Sequence, residues 1–420
     1  MNNTNQILIY DKLLKKLKLK DITVGVIGLG YVGLPRALAF SEKGFQVIGF
    51  DVNSEIIKII NSGETHIKNI SKKRVSKFIS SGIFSVTDDF SRVKEIDVII
   101  ICVPTPLKEK NKPDLGCIFS TLKSIKPFLK EGQSLILEST SYPGTTDEIL
   151  KPYLEKAGFK IGINFYLIYS PEREDPANNE FEYYEIPKLV GGITDKCTNI
   201  GKKIYELINY KVVLLSSTRA AEMTKLLENV YRAINIGLVN EMKGLADCLS
   251  IDLYEVINAA STKPFGFKPF YPGPGVGGHC IPIDPFYLSW KAKEFGIDMK
   301  LISSAFEINS SMPKFVIKKV INSLESKYER SIGCKVLVLG ITYKKNIDDL
   351  RESPSLEIID LLIKNKLEVS FNDPLLIEKQ ENLISKKFCI NSVAITPDNL
   401  KQFDCTLLLT DHDQYDYELI

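Results

Sequence analysis

The chain has 420 residues, of which 44% are hydrophobic and 25% charged, and this composition is typical of a soluble globular protein. Its net charge of +2, from 54 basic and 52 acidic residues, gives no basic footprint for nucleic acid. The eight cysteines form no C-x-x-C pair and no apolar run is long enough to cross a bilayer. We therefore expect a cytoplasmic protein of two or three domains with reduced thiols and no membrane span.

The first 20 residues form a basic N-terminal extension that lacks the apolar centre of a signal peptide. The amphipathic run from Leu13 to Lys20 predicts a solvated helix packed against the protein or a partly ordered tail. Contact with a membrane surface is the alternative.

A glycine-rich turn follows the first predicted strand. Gly28, Gly30 and Gly33 have G-x-G-x-x-G spacing. In a Rossmann unit these glycines permit a tight turn, backbone approach to a pyrophosphate, and close packing of helix on strand. Asp51 ends the second predicted strand, where an acid accepts hydrogen bonds from the adenosine ribose. The pattern predicts a dinucleotide site, and Asp51 favours NAD over NADP because it would repel a 2′-phosphate. A glycine turn in another α/β protein is the alternative.

Short β-rich runs alternate with helical stretches from Asp21 onward, which predicts a parallel sheet covered by helices. The predicted strands are Thr23–Ile27, Gln46–Phe50, Val98–Val103, Ser134–Glu138, Phe165–Tyr169, Lys188–Val190 and Val212–Leu215. The predicted helices include Leu34–Lys43 and Ser54–Asn61.

A proline-free stretch from Arg219 to Leu249 has apolar residues at helical spacing. It predicts one long helix that bridges domains or forms a dimer core; two shorter helices with a break near Gly237 are the alternative. The Gly- and Pro-rich loop 263–278 follows, and its backbone must pass close to another group. Further helix is expected to about Lys327.

A second α/β pattern opens at Cys334–Gly340 with strand, glycine turn and the predicted helix Ser355–Lys364. This segment lacks the second and third glycines of the G-x-G-x-x-G motif, which favours a Rossmann-type unit with a different ligand. Further strands are predicted at Leu367–Phe371, Phe388–Asn391 and Cys405–Leu409. The predicted fold is thus α/β, with two Rossmann-like domains joined by a helical domain that has one long central helix. The predicted domains are the extension 1–20, a cofactor domain 21–217, a helical connector and dimerisation domain 218–330, and a C-terminal domain 331–420.

Cys280 follows directly on the glycine-rich loop, where its sulfur could face a cleft and be held as a nucleophilic thiolate by a nearby cation. A buried, inert cysteine is the alternative. Asp284 follows at helical spacing, so a helix starting after Cys280 would place its carboxylate on the same face. No zinc site is expected, because His279 is adjacent to the cysteine and no second ligand pair appears.

Lys225 and Asn229 lie at positions i and i+4 of the predicted long helix and therefore share one face. That face either is solvated or lines a cleft, where a lysine and an amide would stabilise developing negative charge.

Short tracts along the chain together resemble the nucleotide-sugar 6-dehydrogenases, the family of UDP-glucose and UDP-N-acetylhexosamine dehydrogenases. The resemblance covers the chain from about Asp21 onward. The tracts, in family order, are Gly28–Gly33 with Asp51, Val103–Pro106, Glu138–Thr140 with Pro143-Gly144, Ser170–Glu172, Lys225 with Asn229, Gly277–Asp284, and Lys344 with Asp349–Ser353. The chain ends soon after Thr410-Asp-His412, so the resemblance predicts a few further C-terminal residues.

The resemblance implies a four-electron oxidation of the sugar C6 hydroxymethyl group that reduces two NAD⁺ without releasing the aldehyde. Cys280 would capture the aldehyde as a thiohemiacetal, and a second hydride transfer would leave a thioester for water to hydrolyse. Lys225 and Asn229 would stabilise the oxyanion. Asp284 would hold or activate a water that Thr140 orients, and Glu172 would assist hydrolysis.

The resemblance also implies the binding residues. Those for the cofactor are Gly28, Gly30, Tyr31, Val32, Gly33, Asp51, Thr105 and Thr140. Those for the substrate are Glu172, Arg173, Lys225, Asn229, Phe270, Tyr271, Gly277, Lys344 and Arg351. Lys344 and Arg351 would reach the UDP-sugar from the C-terminal domain.

The tracts Gly277–Asp284 and Ser170–Pro176 depart from the UDP-glucose pattern and resemble the branch that acts on UDP-N-acetylhexosamines. Ser261–Phe267 resembles that branch as well. Within the branch, UDP-N-acetylglucosamine is favoured over UDP-N-acetylmannosamine. Ala177 stands where this branch has a glycine, which is a departure in the local loop.

We therefore expect an NAD-dependent, homodimeric UDP-N-acetylhexosamine 6-dehydrogenase that makes a UDP-uronic acid for surface polysaccharide. The alternatives are the same chemistry on UDP-N-acetylmannosamine or UDP-glucose, a two-electron β-hydroxyacid dehydrogenase, and a non-catalytic nucleotide-sugar sensor. Cys280, Lys225 and Asp284 argue against a sensor, which needs no nucleophile. Cys280 and the second α/β domain argue against a two-electron enzyme.

Overall fold

The computed structural model describes residues 3–67, 70–174, 181–278 and 281–420. The chain divides into two compact units, residues 1–227 with 286–295 and residues 228–285 with 296–420. Two helices, α8 and α10 below, contribute residues to both units.

The described part of the first unit contains an eight-stranded sheet in the order β10-β9-β8-β7-β4-β1-β2-β3, and β5 and β6 form a separate antiparallel pair. The strands are β1 (Thr23–Ile27), β2 (Gln46–Phe50), β3 (Phe84–Thr87), β4 (Val98–Ile101), β5 (Leu107–Lys108), β6 (Lys112–Pro113), β7 (Ser134–Leu137), β8 (Tyr166–Tyr169), β9 (Lys188–Gly192) and β10 (Val212–Leu214). The helices are α1 (Asn3–Leu19), α2 (Gly33–Glu42), α3 (Ser54–Asn61), α4 (Lys72–Ser80), α5 (Gly116–Ile125), α6 (Lys151–Glu155) and α7 (Asp195–Tyr205).

The apolar runs that predicted strands are the centre of this sheet. All four residues of β4 are buried, as expected for a parallel strand covered on both faces. The pairing of β8 with β9, through Ile168 with Gly192 and Tyr169 with Gly191, is antiparallel. The prediction of a parallel sheet therefore fails at this pair, because an apolar run indicates burial but not direction.

The N-terminal extension is a helix packed on the first unit. Leu13 and Leu17 of α1 are buried in its core, and Lys16 forms an ion pair with Asp97 at 2.8 Å. The structure thus selects the packed helix among the three alternatives for this segment.

The second unit consists of helices and a four-stranded parallel sheet in the order β13-β12-β11-β14. The remaining helices of the chain are α8 (Thr218–Cys248), α9 (Leu253–Ser261), α10 (Asp284–Lys293), α11 (Lys300–Tyr328), α12 (Pro354–Lys364), α13 (Glu378–Phe388) and α14 (Pro397–Leu400). The strands are β11 (Lys335–Leu339), β12 (Glu368–Asn372), β13 (Asn391–Ser392) and β14 (Cys405–Leu408).

Helix α8 is continuous over 31 residues, so the single-helix prediction is confirmed. A Cβ atom at Gly237 would lie 3.3 Å from Ala305, which shows that this glycine allows close helix packing instead of breaking the helix.

The strand predicted at Phe388–Asn391 is wrong over most of its length. Helix α13 extends to Phe388, and Cys389 ends it in a left-handed conformation with φ of 56°. The strand begins only at Asn391.

Among the described residues, no helix has the length and apolar character required to span a membrane.

Candidate active site

Four tracts identified in the sequence follow neighbouring parallel strands of the first unit. Residues 28–33 follow β1, 103–106 follow β4, 138–140 follow β7, and 170–172 follow β8. These strands are adjacent in the order β8-β7-β4-β1 and run parallel. Because ligands bind at the carboxyl edge of such sheets, the four tracts lie where a Rossmann domain holds its cofactor.

The glycine turn has the geometry that a dinucleotide requires. Gly28 has φ of 89°, and a Cβ atom at Gly33 would lie 1.8 Å from the Gly28 carbonyl oxygen. At Gly30, in contrast, an added Cβ atom would meet no described atom within 4 Å. The backbone at Gly30 is therefore open to a ligand beside the N-terminal end of α2, where unpaired N–H groups favour phosphate. This cradle fits the pyrophosphate of NAD.

Asp51 is fixed at the end of β2 by two backbone donors. The N–H of Leu29 donates to Asp51 Oδ2 and the N–H of Asn53 donates to Asp51 Oδ1, both at 2.9 Å. Each oxygen keeps acceptor capacity for a ribose hydroxyl. Tyr31, which is 38% exposed, and Val32, which precedes α2, complete the turn predicted to bind the cofactor.

Thr140 is half-buried, and the turn that follows it is held by a residue that sequence reasoning missed. Glu222 of α8 is buried and accepts hydrogen bonds from the N–H groups of Gly144, at 2.6 Å, and Thr146, at 2.9 Å. A buried carboxylate with several donors is a rigid anchor, so Glu222 fixes the backbone beside Thr140.

Helix α10 is tied to the tract after β4. The hydroxyl of Tyr287 donates to the carbonyl oxygen of Thr105 at 2.8 Å, and the ring of Trp290 lies 4.9 Å from that of Tyr142. Residues 281–283 form a turn and the helix begins at Asp284 itself. The i, i+4 helical face predicted for Asp284 is therefore not formed.

Asn229 and Asp284, both predicted catalytic residues, contact each other in the second unit. Both are buried, and the Asn229 side-chain amide donates to Asp284 Oδ2 at 2.5 Å. Lys225, which is half-buried, lies one turn before Asn229 on α8. The contact fixes the orientation of both the amide and the carboxylate.

Glu172 lies in a buried charge cluster that the sequence did not predict. Its carboxylate contacts Arg36 of α2 and lies 3.2 Å from Lys188 of β9. Arg36 and Lys188 also lie 3.2 Å from Glu138, whose carboxylate accepts a hydrogen bond from the hydroxyl of Tyr205.

The cluster sets the charge of its members. Burial opposes ionisation of Glu172, but Lys188 and Arg36 outweigh it and hold the pKa of this carboxyl well below its usual range. Burial and the charge of Glu172 raise the pKa of Glu174 to about 7. The one available sequence signal was Arg36, a charged residue within the apolar segment Leu34–Phe40.

The glycine-rich loop packs against the tract that carries Lys344 and Arg351. This agrees with the prediction that the backbone of the loop passes close to another group. A Cβ atom at Gly277 would lie 2.6 Å from that of Tyr343, and Gly278 has φ of 82°. The N–H of Gly278 donates to the carbonyl oxygen of Arg351 at 3.2 Å. The second unit thus joins the predicted UDP-sugar residues to the loop that precedes Cys280.

Phe270 and Tyr271 contact the helices of the second unit. The Phe270 ring meets that of Tyr231 edge-on, with centroids 5.8 Å apart. Tyr271 stacks on Tyr254 and donates to Asn258 Oδ1 at 2.7 Å. Both side chains therefore anchor the middle of the glycine-rich loop.

His412 holds the turn that carries Lys344. Its ring is fully buried, and its Nδ1 accepts a hydrogen bond from the N–H of Asn346 at 3.0 Å. Because Nδ1 is an acceptor, the proton is on Nε2, which lies 3.2 Å from Asp373 and 3.1 Å from Thr342. Asp373 also accepts the N–H groups of Thr342 and Ile341.

Three predictions fall on residues outside those that the structure describes. These concern the nucleophile Cys280, its neighbour His279, and Ala177 with the rest of 175–180.

A glycine turn for NAD on one Rossmann sheet, together with a second parallel sheet in the same chain, defines a nucleotide-dependent α/β dehydrogenase. Three models of the UDP-glucose/GDP-mannose dehydrogenase family match the chain: the NAD binding domain over 22–209, the central domain over 219–311 and the UDP binding domain over 337–419.

The chain is similar to curated proteins over most of its length. A UDP-N-acetyl-D-mannosamine dehydrogenase of Pyrococcus horikoshii is 37% identical over 84% of this chain and 83% of the relative. A UDP-N-acetyl-D-glucosamine 6-dehydrogenase of Pseudomonas aeruginosa is 35% identical over 85% of this chain and 83% of the relative. The solved UDP-D-ManNAc dehydrogenase from Pyrococcus horikoshii has a TM-score of 0.84 and 33% identity, covering 94% of this chain and 92% of that one.

The chain therefore belongs to the UDP-glucose/GDP-mannose dehydrogenase family. It is an NAD-dependent oxidoreductase that acts on UDP-sugars. The predictions of an α/β fold, of NAD as cofactor and of an enzyme of this family are confirmed, and the sensor alternative is set aside.

Proposed function

We propose that this enzyme oxidises C6 of a UDP-N-acetylhexosamine to a carboxylate, through a covalent intermediate on Cys280. The observation that carries the proposal is the packing of Gly277 and Gly278 on the 343–351 tract. That packing connects the tract predicted to bind the UDP-sugar to the loop that presents the nucleophile.

Each hydride from the sugar is accepted by NAD⁺, and the covalent steps are carried out by Cys280. Cys280 adds as thiolate to the aldehyde, and loss of the second hydride converts the thiohemiacetal to a thioester. Water then attacks the thioester carbonyl, which releases the carboxylate and restores the thiol.

The polar residues stabilise these steps. Lys225 and the Asn229 amide face the oxyanion, and the amide is held in its orientation by Asp284. Asp284 holds or activates the water. The family resemblance assigns Thr140 to orienting it, and Glu222 fixes the turn that follows Thr140.

For the sugar, UDP-N-acetylglucosamine remains the prediction from the tracts around Glu172 and Cys280. UDP-N-acetylmannosamine is the second candidate, because relatives named for it are 36–37% identical to this chain over 84–96% of its length. We place the enzyme in the cytoplasm, since the seven described cysteines are free. Its product is a UDP-uronic acid suited to surface polysaccharide synthesis.

The exposed face of α8 supports a homodimer. Seven large apolar side chains recur at intervals of three, four or seven residues, and each is 42–58% exposed. This stripe consists of Met223, Leu227, Tyr231, Leu238, Met242, Leu245 and Leu249. Repeats of three and four residues suit packing against a second helix, and a two-fold axis would provide the same stripe from a second copy.

Replacement of the nucleophile tests the mechanism. Cys280→Ser should abolish steady-state formation of the uronic acid, because the serine hydroxyl is not ionised at neutral pH and is a poor nucleophile. Binding of UDP-sugar and NAD should stay intact. Cys248→Ser, at an exposed cysteine, is the matched control and should keep full activity. Unchanged turnover of Cys280→Ser would exclude the covalent mechanism.

A further inference from the structure

The buried cluster around Glu172 contains more carboxylates than cations. Its cations are Arg36 and Lys188, and its carboxylates are Glu138, Glu172 and Glu174. Arg36, Lys188 and Glu138 are each at most 3% exposed, so water cannot compensate an excess charge there. If all three carboxylates were ionised, the cluster would carry one uncompensated negative charge, and burial of such a charge is costly.

Glu172 has donors on both of its oxygens. Oε1 accepts from the backbone N–H groups of Arg173, at 2.7 Å, and Glu174, at 2.8 Å. Oε2 contacts Arg36 and lies 3.2 Å from Lys188. A carboxylate with four donors is stabilised as the anion. Glu172 is thus unsuited to carrying a proton, although the family resemblance assigns it a part in hydrolysis.

Glu138 also has several hydrogen-bond and ion-pair partners. It lies 3.2 Å from both Arg36 and Lys188, and it accepts a hydrogen bond from the hydroxyl of Tyr205. Both cations are therefore shared by the same two carboxylates.

Glu174 is the outlying carboxylate. Its Oε1 lies 3.8 Å from Arg36, beyond hydrogen-bond distance, and its side chain is 26% exposed. The charged groups that act on it are Arg36 of α2, Lys188 of β9, Glu138 after β7, and Glu172. Glu174 has the weakest stabilisation as an anion and the best access to solvent.

We propose that Arg36 and Lys188 are positioning residues that hold Glu172 as an oriented carboxylate, and that Glu174 is the member of the cluster that takes up and releases a proton. The consequence for catalysis rests on the proposed function. An ionisation of this cluster that is seen in the pH profile of turnover then belongs to Glu174 and not to Glu172.

An infrared pH titration of the enzyme without substrate tests the assignment. The wild type should show two protonated carboxyl contributions that disappear as the pH rises through about 7, one from Glu174 and one from Glu222, whose pKa burial also raises to about 7. Glu174→Gln should lose the first contribution and keep the second. The matched control Glu182→Gln, at an exposed glutamate, should keep both.

A second variant tests the role of the cations. Arg36→Gln leaves one cation for the three carboxylates of the cluster and should add a further protonated carboxyl band, whereas Arg36→Lys should restore the wild-type spectrum. If Arg36→Gln does not fold, the Glu174→Gln titration still decides the proposal.

The pH profile of kcat provides the functional readout. Glu174→Gln should lose the ionisation near neutral pH. A carboxyl titration in Glu174→Gln that is unchanged from the wild type, or a contribution that is lost in Glu172→Gln instead, would overturn the proposal. Because the infrared titration needs no sugar, absence of turnover with every UDP-sugar would refute the proposed function and leave the cluster assignment standing.

Discussion

Gly30 and Gly33 belong to one motif, yet each is glycine for a different physical reason. A side chain at Gly33 would collide with the backbone of Gly28, whereas a side chain at Gly30 would point into space free of described atoms. Gly33 is therefore needed for folding, and Gly30 leaves room for a ligand. Their roles could be predicted from spacing because both depend on local backbone geometry. The contacts of Arg36 could not be predicted, since its partners Glu138 and Glu172 are 102 and 136 residues away.

The two glycines make a matched pair of variants. Gly33→Ala should lower the free energy of unfolding by about 1–3 kcal/mol, because the added methyl forces the backbone to shift. Gly30→Ala should unfold like the wild type in urea but raise the KM for NAD. Equal destabilisation by both variants would contradict the distinction.

The raised pKa of Glu174 predicts how the free energy of unfolding changes with pH. Its pKa in the folded chain is raised from 4.5 to about 7, so the folded state binds more protons than the unfolded state between these values. The contribution of Glu174 to stability therefore falls as the pH rises through that range. Glu174→Gln should become more stable relative to the wild type from about pH 5 to about pH 8 in urea titrations. A constant difference would show that Glu174 does not titrate there.

At the scale of elements, apolar patterns located most strands, and long-range contacts decided what the patterns left open. β1 and β2 have the predicted bounds because their apolar runs end sharply at Gly28 and Asp51. The direction of β9 depends on strand pairing, and the end of α13 depends on its C-terminal cap. Neither feature produces a periodic pattern of apolar residues in the sequence. The hydrogen bond of Tyr287, which ties α10 to the tract after β4, could not be predicted from the sequence either.

Removal of that hydroxyl tests the tie. Tyr287→Phe should cost about 0.5–1.5 kcal/mol of unfolding free energy and reduce kcat, because α10 begins at Asp284, the proposed catalytic residue. Tyr254→Phe, whose hydroxyl lies 3.4 Å from the Pro272 carbonyl oxygen at the surface, is the control. If both variants keep wild-type kcat, α10 does not position Asp284.

The contacts of His412 predict that this residue affects binding of the UDP-sugar. His412→Phe should raise the KM for the UDP-sugar and leave the affinity for NAD unchanged, because it frees the turn that carries Lys344. Asp398→Asn, at an exposed site near the same sheet, should change neither constant. A changed NAD affinity with an unchanged sugar KM would contradict this role.

At the scale of the whole molecule, the sequence predicted the long helix α8 but not which of its faces is exposed. Its apolar residues divide between buried positions, such as Leu226 and Val230, and the exposed stripe that contains Leu238. Only the fold separates the two sets, because both have helical spacing.

A charge placed on the stripe tests the dimer. Leu238→Asp should convert a dimer to a monomer in sedimentation equilibrium, because the charge would be buried against the second copy. Leu383→Asp, on the exposed face of α13, should leave the dimer intact. A monomeric wild type, or a dimeric Leu238→Asp, would contradict the proposed interface.

The central claim is the four-electron oxidation of an acetylated UDP-sugar, and the most direct measurement is the yield of NADH per sugar. UDP-N-acetylglucosamine, UDP-N-acetylmannosamine and UDP-glucose would each be run to completion as the limiting substrate. We predict two NADH per UDP-N-acetylglucosamine, because both hydrides leave before the carboxylate is released. One NADH per sugar would contradict the claim, since the aldehyde would then escape Cys280, and two NADH from UDP-glucose alone would contradict the assigned substrate class.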